Sequence, residues 1–450
     1  MSMRQLFLLV LFTVLLMSEM FGWKLGISEG LSIKNGFLYA FLMVILIEHA
    51  VGGSARDPLL LKVHIPFVTL IILAGLSWAF TDIRTNIPHY SSEDRLMAVK
   101  NLLADFYLFF LVYYYGARNL EEAMGLAKMM LALTVLSNIV TIIDVYDIPD
   151  LGIVRQMEGE SEHNRGRLMG PIGEPNQYAA FLAFFIPSYV ALAMASARKN
   201  VASCMYLAAS LATLVALLLT GSRGGVLGLV AGAAWGYWLV RHLIRLRTTI
   251  KGVALMVPVI GVAIAFAAMK YGALLLARVE VTASADTATD ASAGRTWIWE
   301  TALSLMGDHP LSYLIGMGWH TFAPYVGVVP HNTYLWYFFN LGAIGLMLYL
   351  IIVRNLLKVS RQAINGLSTD GDMLLKGFVF GFTALLTSVL FVDLFSPWYF
   401  IWAYIGTITR VAVEMNAEAQ QQCAPSLSAE EVNDLTSVPM SGHERQAPLL

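Results

Sequence analysis

The sequence predicts an all-α polytopic membrane protein of about twelve transmembrane helices, with a partly helical external loop between the ninth and tenth spans. Three observations predict it. The chain is 57% hydrophobic and only 13% charged over 450 residues, more apolar surface than a soluble domain can bury. Apolar runs near bilayer length recur throughout. Lysine and arginine gather in the short connections between alternate runs, and the two long polar excursions fall on the other side. The near balance of 29 Lys+Arg against 31 Asp+Glu leaves no basic surface and speaks against nucleic acid as a partner. Cys204 and Cys423, one in an apolar run and one in the polar tail, predict neither a disulfide framework nor a cysteine metal site.

In order, the predicted spans are 5–23, 36–53, 63–80, 102–116, 124–143, 178–197, 201–220, 224–240, 251–269, 333–353, 374–395 and 397–413. The first starts after Arg4 and lacks a small-residue cleavage pattern, so it reads as a retained anchor. The fourth is short and contains Asp105. With the N-terminus inside, the cytoplasmic connections hold Arg56/Lys62, Arg118, Arg198/Lys199, Arg241/Arg245/Arg247/Lys251 and Arg354/Lys358/Arg361/Lys376. Segments 144–177 and 270–332 are then external. Residues 1–415 read as one membrane domain, and 416–450, polar and without apolar periodicity, as a disordered cytoplasmic tail.

Three external stretches carry chemistry. In N-R-G-R-L-M-G-P-I-G-E-P-N-Q-Y, glycines and prolines make tight turns, and Asn176 is placed to cap the helix starting near Tyr178. Arg165 and Arg167 are candidate anion contacts there, with Asn176 and Gln177 as candidate partners for sugar hydroxyls. T-G-S-R-G-G is a hairpin too short to leave the bilayer surface. Snorkelling to head groups is the ordinary fate of an arginine in such a hairpin. The glycines around Arg223 also clear space for a phosphate to meet the guanidinium and the backbone amides of the next helix start. The third stretch, Gly294 to Gly345, contains Arg295 at a helix start and His331-Asn332 after Pro330, with Asn332 as a helix cap and Trp297, Trp299 and Leu303 available to lie on the membrane surface. Arginine forks match phosphate oxygens, and topology puts all three stretches on one face. No metal-ligand spacing and no phosphate-cradling loop of the P-loop kind is present.

His331-Asn332, followed after nine residues by Gly342-Ala343-Ile344-Gly345, matches the pattern H-[NSQ]-x9-G-x-x-[GTY]. With G-S-R-G-G and G-x-x-G-x-P-N-Q, it makes the chain resemble the O-antigen ligase and polymerase family of bacterial membrane proteins. The resemblance runs from about Asn164 to Gly345. It implies an inner-membrane glycosyltransferase of the C-type membrane fold, active at the periplasmic face without metal or cofactor. The donor it implies is an undecaprenyl-diphosphate-linked glycan, and the acceptor a lipid A-core or another glycan. By that similarity Arg223 and Arg295 hold the diphosphate, and His331 either accepts the hydroxyl proton or orients the hydroxyl. Ligase and repeat-unit polymerase are both open on these motifs. Outside enzymes, the alternative is a lipid-linked glycan transporter, which should carry charge deep in several spans.

Overall fold

The computed structural model describes residues 2–21, 26–28, 31–52, 57–84, 91–145, 167–196, 200–244, 246–283, 294–367, 369–394 and 398–423. They are almost wholly helical. The exception is a short antiparallel pairing of Gly26–Ser28 with Leu31–Ser32, which the all-helical expectation did not include. Seven helices are long and apolar enough to cross a membrane by length and composition: Met3–Phe21, Leu60–Thr81, Ser92–Gly116, Leu120–Val145, Pro175–Ala195, Val201–Leu219 and Thr333–Gln362. The other five predicted spans also lie on helices, namely Ile33–Gly52, Arg223–Val240, Leu246–Ala283, Asp370–Ser388 and Trp398–Cys423.

Several predicted boundaries move. The fourth span begins ten residues early, at Ser92, because Ser91 caps it by accepting from the Asp94 amide. Its helix passes through a π-helical stretch, Leu102–Leu108, before ending at Gly116. Asp105 within it is answered by Lys34, 2.6 Å away. The ninth span lies inside a helix reaching Ala283, so the polar excursion starts well after residue 270. The last helix runs to Cys423, past the predicted start of the tail; the rest of the tail, 424–450, lies outside the described residues.

The bundle is organised around Asp370–Ser388, which is buried on nearly every side. On one flank it meets Arg223–Val240, whose glycines at 224, 228, 232 and 236 recur at the four-residue helical spacing. A β-carbon at Gly232 would fall on the Ala384 backbone, and one at Gly228 on Ser388. The two helices therefore touch backbone to backbone, as small-residue faces permit, and Thr383 Oγ1 donates to the Gly232 carbonyl at 2.7 Å. On the other flank, Gly377 and Gly381 admit Pro175–Ala195, a helix apolar all round and buried accordingly. The tight flank fixes where the start of Arg223–Val240 sits over the end of Asp370–Ser388. Gly224 packs on Phe391, in the turn that follows.

Residues 294–332 fold back over this end of the bundle. Arg295–Gly307 and Phe322–Val326 share a small core of Ile298, Ala302, Met306, Phe322, Val326 and Phe339, the last contributed by Thr333–Gln362. Trp297 and Leu303 are exposed, but Trp299 turns inward and donates to the Pro330 carbonyl at 2.8 Å. The segment after Ile315 is pinned from three directions. Met317 and Gly318 donate to the carbonyls of Phe339 and Asn340 at 2.7 and 3.2 Å. Trp319 N donates to Ser77 Oγ at 2.9 Å, and buried Arg95 donates Nε to the Trp319 carbonyl at 2.7 Å. Those carbonyls are reachable because Thr333–Gln362 breaks at Gly342, whose φ of 65° and ψ of −166° leave the helical region.

Candidate functional site

The site assembles at the end of the bundle where 167–177, 220–225, 294–333 and 389–394 meet. Asn332 is the N-cap of Thr333–Gln362, its Oδ1 accepting from the Leu335 amide at 3.0 Å, as the sequence predicts. The chain reaches that cap through His331 in the left-handed region, φ 48°, which is costly for a residue with a β-carbon. Asp393 holds it there. One carboxylate oxygen accepts from the His331 amide at 2.6 Å and the other from the Asn332 amide at 2.9 Å. Thr333 adds bonds to the carbonyls of Val389 and Val392, at 2.9 and 3.0 Å. Asp393, which no sequence motif singles out, is thus the carboxylate that holds the His331–Asn332 turn.

Electrostatics join the predicted residues. Burial, then the positive charge of Arg223, lowers the pKa of the Arg295 guanidinium, while Glu174 and Asp393 oppose that shift. Burial and then Arg295 lower His331 below the ordinary 6.5, with Glu174 pulling the other way, so the imidazole is neutral at pH 7. Burial pushes the Asp393 carboxyl from 3.8 up to about 7, against its two amide hydrogen bonds and the charge of Arg295. Arg223, Arg295, His331, Glu174 and Asp393 therefore share one electrostatic neighbourhood, although they come from four separate parts of the chain. Arg223 is the first residue of its helix, is exposed, and follows the cap Ser222, whose Oγ accepts from the Gly225 amide at 3.3 Å.

Loop 167–177 serves this arrangement differently from expectation. Arg167 is buried; its Nε donates to the Thr220 carbonyl and an Nη to Asn176 Oδ1, each at 2.8 Å. Ser222 Oγ donates to the same Asn176 oxygen at 3.0 Å, so loop and hairpin are stitched together just before Arg223. Asn176 is not the cap. The helix starts at Pro175, three residues before the predicted Tyr178, and Glu174 caps it by accepting from the Gln177 amide at 2.6 Å. Asn176 Nδ2 donates to the other Glu174 oxygen at 2.8 Å, and the Gln177 side chain is buried. Arg165 lies outside the described residues. Among the described residues, no three His, Cys, Asp or Glu side chains gather as metal ligands.

The model of the O-antigen ligase family matches residues 208–350, a stretch that contains Arg223, Arg295, His331 and the Gly342 break. That region, about a third of the chain, is similar to the O-antigen ligase family. No curated protein matches the chain. The match supports a role in surface-polysaccharide glycan transfer, and the seven long apolar helices fit a multi-pass membrane protein. The matched stretch also takes in segment 294–332, and so the turn that carries His331. Asp393 and Glu174 lie beyond the matched stretch.

Proposed function

We propose that the protein transfers an undecaprenyl-diphosphate-linked glycan to an acceptor hydroxyl at the periplasmic face, with inversion at the anomeric carbon and without a metal. All twelve long helices cross the membrane in this reading. The observation that carries it is the meeting of Arg223 and Arg295 beside a neutral His331 whose backbone is locked by Asp393. The acceptor oxygen bonds to the anomeric carbon as the bond from that carbon to the diphosphate oxygen breaks. Undecaprenyl diphosphate leaves with the electron pair. Two guanidiniums face the charge growing on it and need no reorganisation to do so. The acceptor proton passes to the His331 imidazole, which stays ready to receive it because burial and Arg295 keep it unprotonated. Asn332 keeps the helix start in place. Arg167, Asn176 and Gln177 frame the loop, and Arg165 remains a candidate second contact to the anion.

Glycan transfer by Arg223→Ala, Arg295→Ala and His331→Ala variants present in the membrane at normal levels tests the assignment. Each arginine loss should lower transfer about 10²–10³-fold and the histidine loss about 10²–10⁴-fold. Full activity in all three overturns the site. Arg223→Lys should recover only part of the loss, since an ammonium cannot grip two phosphate oxygens as a fork does. Gene disruption separates the two enzyme readings. Polymer left on the lipid carrier marks a ligase, and single repeat units accumulating there mark a polymerase.

A further inference from the structure

A cavity of about 440 Å³ opens directly behind the seat of His331. Two of its walls are helix faces. Ser92–Asn101 presents Asp94, Met97, Ala98 and Asn101, the i, i+3, i+4, i+7 spacing that defines one face of a helix. Thr333–Gln362 presents Thr333, Trp336 and Tyr337 opposite them. Trp319 with His320, and Asp393 with Leu394, close the other sides. Two helix faces aligned in a packed bundle ordinarily interdigitate. Here segment 316–321, pinned by Arg95, Ser77 and the freed carbonyls of Phe339 and Asn340, holds them apart.

The walls specify an occupant. Trp319, Trp336 and Tyr337 form an edge-to-face cluster, with centroids 4.7 Å apart for the tryptophan pair and 5.1 Å for Trp336 with Tyr337, so the rings are rigid platforms. Asp94, Asn101 and Asp393 supply acceptors suited to hydroxyl groups. The Asp94 carboxylate repels a diphosphate, which belongs with Arg223 and Arg295, and the polar groups of Asp94, Asn101 and Asp393 are costly against a lipid tail. Aromatic faces with carboxylates and an amide fit a neutral sugar. Asp393, on the cavity wall, also accepts from the amides of His331 and Asn332, and Thr333, beside it on the wall, directly follows that turn, so the cavity adjoins the backbone that carries His331.

We propose that this cavity seats the sugar of the acceptor, with Trp336, backed by buried Trp319, as its platform, Asp94 and Asn101 as hydroxyl partners, and His320 as the residue that selects which sugar enters. The assignment rests on the transfer reaction given above. His320 suits a selecting role because it sits in the left-handed region at φ 59°, with its ring 6.3 Å from Trp336. It also borders a second space of about 200 Å³ toward Pro330, so its ring stands between two compartments.

The test is steady-state transfer by the full-length protein in nanodiscs. A polyprenyl-diphosphate-linked glycan serves as donor, with three acceptor arms: lipid A-core, the same core saccharide freed of lipid, and a serine/threonine peptide. In Asp94→Asn, Asn101→Ala, His320→Ala and the cavity-filling Ala98→Trp variants, acceptor KM should rise about tenfold or more while donor KM stays within about twofold. The free core saccharide should compete with lipid A-core. Asp94 is exposed, so its variant reports even where Ala98→Trp fails to fold. Unchanged acceptor KM in Asp94→Asn, Asn101→Ala and His320→Ala, with normal transfer by the native protein, overturns the cavity assignment alone. Transfer to the peptide but to neither saccharide overturns the sugar class. A native protein that moves glycan onto none of the three, and binds donor no better than Arg223→Ala, overturns the reaction itself.

Discussion

Asp393 concentrates several roles in one carboxylate, because it stabilises a strained turn, faces the cavity and feels both Arg295 and Glu174. In Asp393→Asn one amide hydrogen bond survives, while the other N–H meets an NH2 group, leaving a buried donor opposed to a donor at a cost of about 1–3 kcal/mol. Transfer should fall about ten- to a hundredfold at unchanged membrane abundance, measured by glycan transfer in vesicles. The same residue predicts an unusual pH dependence. Its carboxyl titrates near 7 when folded and near the ordinary 3.8 when unfolded, so between those values the folded state holds the extra proton. The stability it contributes is complete below about 4 and lost as pH rises through about 7. Thermal unfolding in detergent at pH 5 and pH 7.5 should show that loss in the native protein, and a smaller one in Asp393→Asn. His331 is shifted the other way, so the acid limb of transfer should lie below pH 6.5, and Arg295→Gln should move it upward. None of this was legible locally. The partners of Asp393 are 62 and 61 residues away, and a single aspartate near a span end carries no pattern.

At the scale of elements, the break in Thr333–Gln362 links motif to architecture. The glycine that completes the H-N-x9-G pattern is the one residue of that helix with non-helical angles, and a β-carbon on it would strike the Leu314 carbonyl. Gly342→Ala should therefore lower the unfolding temperature, at a cost of about 1–3 kcal/mol or more, and reduce transfer by displacing segment 312–318. Gly261→Ala, in a helix with nothing within 4 Å of the added methyl, should be neutral or slightly stabilising. Trp299→Phe keeps the ring but removes the bond to the Pro330 carbonyl, about 1 kcal/mol, and should loosen the approach to His331 enough to lower transfer severalfold. The sequence placed a helix at Arg295 and a cap at Asn332 because caps and apolar runs are local. It misassigned the cap at Asn176 because Pro175 fits the first helical turn and hands the cap to Glu174.

Across the whole molecule, hydropathy located a helix under each predicted span, since bilayer length and apolar composition are one-dimensional properties. Which helices touch is not one-dimensional. The glycine series at 224, 228, 232 and 236 stood in plain view, but its meaning depends on Ala384 and Ser388, about 150 residues on. Loop 167–177 offered an arginine and two amides that read as ligand contacts, yet folding turned Arg167 and Asn176 toward the hairpin they brace. Gly232→Leu should force these two helices apart. The expected outcome is loss of a folded, monodisperse peak in detergent, or, where the protein survives, loss of transfer with an unfolding temperature several degrees lower.

That backbone contact has a consequence for how such a protein diversifies. A helix pair separated by side chains can slide or tilt as those side chains are exchanged, but Arg223–Val240 and Asp370–Ser388 have no layer between them to exchange. The spacing between Arg223 and the Asp393 turn is therefore a fixed gauge. New acceptors would be reached by rewriting the pocket walls at Ser92–Asn101 and 316–321, so chimeras that swap those segments should change what is glycosylated while keeping the lipid-linked donor.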